Sequence, residues 1–71
     1  MISYTVDSYK DGMISMCAFG GDLEAARRWA NGCMKDGARR VVITRNESAF
    51  NSTMGHWRTR KKVVIADIKA A

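Results

Sequence analysis

Ile2-Ser3-Tyr4-Thr5-Val6-Asp7-Ser8-Tyr9-Lys10-Asp11-Gly12-Met13-Ile14-Ser15-Met16-Cys17-Ala18-Phe19 holds two extended runs around one turn. Ile2, Tyr4 and Val6 alternate with Ser3, Thr5 and Asp7, the period of a strand with one apolar face. Met13 to Phe19 is the second run. Asp11-Gly12 between them suits a type I′ turn, which needs positive φ at both central positions. A two-residue loop sets Lys10 opposite Met13, Val6 opposite Cys17 and Tyr4 opposite Phe19. Ile2, Tyr4, Val6, Cys17 and Phe19 then share one face, and a slip of one residue would scatter them. The other face carries Tyr9, Ile14 and Met16. Three sizeable apolar side chains on a face expected to be wet mark an interface, or a surface covered by the chain's own loop or tail.

Outward from the hairpin, Gly20-Gly21-Asp22 ends the strand and opens a helix over 22–36. Asp22 is a natural N-cap, and Glu24 suits the positive end of the helix dipole. Leu23, Ala26, Ala30 and Cys33 recur at helical spacing, with Trp29 and Met34 beside them. Trp29 either seals the core or binds a ligand. Gly37 suits the C′ position. Gly32 lies inside the helix, where it allows close contact with a sheet or ends the helix early. The β-branched run within Arg40–Arg45 reads as a third strand. Asn46 to Thr53 is polar and turn-rich and reads as a loop anchored by Phe50. Met54–Arg60 reads as a fourth strand, and Lys62–Ile68 as a fifth or its continuation. The expected fold is α+β: two layers, one helix packed on a mainly antiparallel sheet, order β-β-α-β-β with room for one more strand, in one small domain over 1–71.

Seventy-one residues bury roughly 60% of their unfolded surface, too little for a large enclosed active site. The only histidine, His56, has no partner placed by sequence. Gly20-Gly21 lacks a phosphate-loop Lys-Ser/Thr pattern, and the carboxylates are dispersed. Cys17 and Cys33 have no zinc-ligand spacing and read as core filler. No catalytic residue, metal or cofactor is expected. Met1–Tyr4 has neither a positive start nor a signal-length apolar run, and no stretch approaches the roughly 20 apolar residues of a membrane span. The expected location is cytoplasmic.

Charge is uneven. Residues 1–22 carry one base against three acids, and residues 23–71 carry eleven bases against four acids. A basic half attracts nucleic acid, an acidic protein face or anionic lipid. Trp57-Arg58-Thr59-Arg60-Lys61-Lys62 concentrates it. Extended, this run points Trp57, Thr59 and Lys61 one way and Arg58, Arg60 and Lys62 the other. Arginines beside an aromatic suit phosphate contacts with base stacking, or anchors on an acidic protein. They also suit the guarding of a sheet edge. Arg39, Arg40 and Arg45 join the patch if the third strand lies beside it. Arg27, Arg28 and Lys35 form a second basic surface on the helix.

In the order hairpin, helix 22–36, then strands with Arg40–Arg45 and Met54–Ile68, the chain resembles the very small α+β proteins that phages and other mobile elements use as inhibitors, including some anti-CRISPR proteins. The resemblance implies a non-catalytic inhibitor or adaptor that binds a protein machine and blocks nucleic-acid access or assembly. Many such inhibitors are acidic mimics of nucleic acid. This chain is basic, which turns the expectation toward an acidic partner surface. The alternative is a small nucleic-acid-binding module of low sequence specificity, using Arg39, Arg40, Trp57, Arg58, Arg60, Lys61 and Lys62. A homodimer through the outer hairpin face, with Tyr9, Ile14 and Met16, is a further expected partner.

Overall fold

A computed structural model of the chain describes residues 1–70, and Ala71 lies outside them. The elements run β1 (Ile2–Lys10), β2 (Met13–Ala18), α1 (Leu23–Lys35), β3 (Arg40–Asn51) and β4 (His56–Lys69). All four strands form one antiparallel sheet in the order β2-β1-β3-β4.

Local sequence accounts for the hairpin and the helix ends. Asp11 and Gly12 both take positive φ, 52° and 77°, as the Asp-Gly turn requires. The β1–β2 register follows from that turn, with Lys10 opposite Met13 and Val6 opposite Cys17. The Asp22 carboxylate accepts the Ala25 N–H at 3.0 Å and caps α1. At the other end Gly37, at φ 97°, donates to the Met34 carbonyl at 3.2 Å while Ala38 donates to Cys33 at 3.0 Å.

The core is small. Val6, Val41 and Ile43 of the sheet meet Ala26 and Ala30 of α1, with Ala38 completing the buried cluster. Tyr4, Phe19, Leu23, Cys33, Met34 and Ala66 ring it. Alanine at both helix contact positions lets α1 approach β1 and β3 closely, so little apolar volume is needed to close the layer. No helix among the described residues is long and apolar enough to cross a membrane.

The expected two-layer α+β class is corrected. The protein is mostly antiparallel sheet, 58% strand against 19% helix, and has four strands with no fifth among the described residues. The cause is a mismatch of lengths. Thirteen helical residues span about 20 Å, whereas the fourteen of β4 span about 46 Å. Helix α1 therefore packs mainly on β1 and β3, and the core residues of β3, Val41 and Ile43, lie in that strand's first half. Of the polar segment 46–53 expected as a loop, 46–51 is the second half of β3, and Ser52 and Thr53 lie in the turn that follows. Asn46, Glu47 and Ser48 pair with Lys62, Lys61 and Thr59 of β4, and Asn46 and Glu47 also pair with Ser3 and Ile2 of β1, so their strand conformation comes from cross-strand partners and not from propensity. No break separates Arg60 from Lys62, so the expected fourth and fifth strands are one.

Gly32 resolves differently from either expectation. The helix runs past it to Lys35, and a Cβ at this position would have no atom within 4 Å. Gly32→Ala should therefore stabilise the fold by about 1 kcal/mol. The readout is a rise in Tm of about 4–8 °C. Gly12→Ala, at positive φ, should lower stability by about 1–2 kcal/mol in the same assay.

Candidate nucleic-acid interface

Strand β1 flanks β3 as far as Glu47, and past that point β3 and β4 continue, from Ser48 to Thr59, as a two-stranded arm closed by the turn 52–55. From Ser52 through Ile65 every residue is exposed. The molecule is accordingly long and thin, 46 × 24 × 15 Å. Near the tip Phe50 lies opposite Trp57, with ring centroids 5.5 Å apart and planes tilted by 57°. Both rings remain more than half exposed, and Met54 in the turn is exposed beside them. His56 is exposed at the start of β4, opposite Asn51. Among the described residues no group of three or more His, Cys, Asp or Glu side chains is placed to hold a metal.

Arg58 lies on the arm and Arg60 at the bulge at its base, while Lys61 and Lys62 follow on the adjoining three-stranded sheet opposite Glu47 and Asn46, so that four cations in sequence face one carboxylate, Glu47. Arg58 and Arg60 line a shallow depression of about 460 Å³ with Ala49, Phe50 and Ser52. The alternation expected for this run is broken. The β3–β4 register shifts between Glu47 and Ser48, so that Lys61 pairs with Glu47, Thr59 pairs with Ser48, and Arg60 is the extra residue. A β-bulge adds one residue and reverses the side on which the following ones project. Lys61 thus no longer shares a face with Thr59 and Trp57. A second shift, between Ile43 and Thr44, leaves Ile65 as the extra residue nearer the core.

The other cations expected in this patch sit elsewhere. Strand β3 does lie beside β4, but antiparallel, so Arg39 and Arg40 are at the end of the sheet far from the tip, beside Ala70 and Lys69. Nine residue steps separate Arg40 from the partner of Arg58, about 30 Å. Arg40 is also engaged. Its Nε and Nη2 donate to the two Asp67 carboxylate oxygens at 2.9 and 2.7 Å, and its guanidinium lies 5.4 Å from the centre of the Tyr9 ring. Arg45 lies between Arg40 and the tip, its Nη2 3.5 Å from Glu47 Oε1. Arg27, Arg28 and Lys35 are exposed on α1.

The outer hairpin cluster also divides. Ile14 and Met16 are 64% and 71% exposed, whereas Tyr9 is half-buried beneath Arg40. Trp29 packs on Phe19 with centroids 6.0 Å apart and keeps 48% exposure. It lines a depression of about 630 Å³ with Phe19, Gly32 and Cys33. Sequence reasoning missed Asp67, which takes Arg40 out of the patch. Its position opposite Val42, diagonal to Arg40, depends on a register that the bulges set.

The Asp67 carboxyl is held below the usual carboxylate range, first by its hydrogen bonds from Arg40 and then by the cation's charge. Its contribution to stability is therefore present above about pH 4 and lost as pH falls through the folded value. Arg40, whose own value is raised by the same bonds, stays charged throughout. Asp67→Asn should be less stable than the wild type at neutral pH. The gap should narrow as pH falls below the usual carboxylate range, and close once Asp67 is protonated in the folded wild type, in denaturant titrations run across pH. A gap that persists there would mean the pair contributes nothing through its charge.

No protein-family model, curated protein or solved structure matches the chain.

Proposed function

We propose that the protein is a non-catalytic binding module that lays its β3–β4 arm along a polyanion, with nucleic acid the polyanion it fits best. The arm's build carries this reading. It is two strands wide past Glu47 and one layer thick, with an exposed Phe50–Trp57 pair toward its tip, and four cations in five residues, Arg58 to Lys62, run from it onto the edge of the adjoining sheet. A two-stranded ribbon fits the major groove of a duplex. Exposed aromatic faces stack the bases of a single strand without regard to sequence. Arg58, Arg60, Lys61 and Lys62 would contact phosphates, which position a nucleic acid but carry no sequence information. Arg58 and Arg60, flanking one depression, are the strongest candidates for gripping a single phosphate.

A second reading is an inhibitor or adaptor of phage or mobile-element type that covers an acidic or nucleic-acid-handling partner protein. Trp57 and Arg58 exposed beside Phe50 favour it, since aromatic and arginine side chains dominate the binding energy of protein interfaces. In either case we place the protein in the cytoplasm, where a reducing environment suits the free thiols of Cys17 and Cys33.

Gel-shift titrations with duplex and single-stranded DNA and RNA, at about 50 and 200 mM salt, test the first reading. Affinity should fall steeply with log salt. Replacing Arg58, Arg60, Lys61 and Lys62 by Ala should flatten the slope by about 0.9 for each phosphate that is no longer neutralised. Trp57→Ala should weaken single-strand binding by about 1–3 kcal/mol for each base stacked on it. If nothing is retarded even at the lower salt, nucleic acid is not the ligand. A protein that stays bound to the wild type after nuclease treatment, and does not bind the four-Ala variant, would then support the second reading.

A further inference from the structure

The sheet order leaves two edges, β2 and β4, and they differ in kind. Strand β4 carries Arg58, Arg60, Lys61, Lys62 and Lys69 and two register shifts, devices that discourage another strand from adding. Strand β2, Met13-Ile14-Ser15-Met16-Cys17-Ala18, has no charge and no proline, and it pairs with β1 without a bulge.

The free main-chain groups of β2 follow from the ladder. Tyr4 donates to the Gly20 carbonyl and accepts from Phe19 N–H, both at 2.8 Å, so Tyr4 bonds toward the β2 side. Successive residues of an antiparallel strand bond to opposite sides. Val6 and Ser8 therefore also bond toward β2, and their partners Cys17 and Ser15 bond back toward β1. The Tyr9 carbonyl, accepting from Arg39 N–H at 2.8 Å on the β3 side, fits the same alternation. It follows that Ile14, Met16 and Ala18 point their N–H and C=O groups out of the sheet. Ile14 and Met16 are also the strand's most exposed side chains on the outer face.

We propose that β2 pairs antiparallel with β2 of a second copy of this chain, about a two-fold axis at Ser15. The strand complements itself in that register. Ser15 meets Ser15 of the second copy as a close non-hydrogen-bonded pair, where a small side chain fits. Ile14 meets Met16 of the second copy and exchanges two N–H···O bonds with it, and the symmetry-related pair adds two more. Ile14 and Met16 of both copies then gather into one apolar cluster on the outer face. Charge allows this contact. Strand β2 is neutral and lies at the edge opposite β4, so the two cationic arms are kept apart while the copies join.

The test is the mass of the full chain by light scattering from about 1 µM to about 1 mM. It should rise from 7.9 kDa toward twice that value. Met16→Pro removes an outward N–H and leaves the β1–β2 ladder intact. It should weaken the dimer about 10–100-fold. Arg58→Ala should leave association unchanged. Amide exchange on the unaltered protein keeps the proposal testable if the proline variant fails to fold. Ile14 and Met16 should gain protection as concentration rises, while Ser15 and Cys17 are protected throughout. A mass of 7.9 kDa at every concentration would overturn the proposal and leave the edge to a strand from another protein. So would a dimer in which the Ile14 and Met16 amides exchange alike at both extremes.

Discussion

A helix of about 20 Å lies on a sheet whose longest strand runs about 46 Å, and most of the molecule's character follows from that disproportion. Helix and sheet meet through Ala26 and Ala30 against Val6, Val41 and Ile43, all essentially excluded from water. Where α1 stops, the apolar core stops with it. Further along β3, Asn46 is still buried and bonded to Thr5, but from Ser52 to Ile65 every residue is exposed. Residues without core duty can be ones that a core would reject, and this stretch carries four cations and Trp57, with Phe50 exposed opposite.

Electrostatics sharpens the division. Asp67 is bound to Arg40 at the far end of the sheet, and Glu47 lies by Arg45 where β3 is still flanked by β1, short of the arm. The nearby carboxylates therefore associate with arginines outside the Arg58–Lys62 run, and that run keeps its excess charge. The same pairing gives the outer face at the far end a braced corner of Tyr9, Arg40 and Asp67 around the buried Val42. Such an exposed pair contributes little by itself to stability. Its larger effect is on where positive charge remains available.

What can be read from the sequence is what is decided locally. Asp11-Gly12 sets the turn and through it the β1–β2 register; Asp22 and Gly37 set the ends of α1; the spacing of Ala26 and Ala30 sets its inner face. The two-layer expectation fails because no local signal reports how far a helix reaches along its sheet. Asn46-Glu47-Ser48 has the composition of a loop and becomes strand because Lys62, Lys61 and Thr59 of β4 lie on one side of it and Ser3, Ile2 and Met1 on the other. Arg58, Arg60, Lys61 and Lys62 are legible as a cluster, but their facing is not, since each bulge inverts the parity of everything beyond it. Whether Arg39 and Arg40 can join them rests on strand direction, a property of the whole topology.

The single-layer arm has a dynamic consequence. Its ladder bonds are open to water on both faces, while those between Val6 and Ile43 lie beneath the helix. One continuous pair of strands should therefore open more readily at the tip than beneath the helix. The tip can bend to the contour of whatever it touches without loosening the part beneath the helix, as a flexible blade does in a rigid handle.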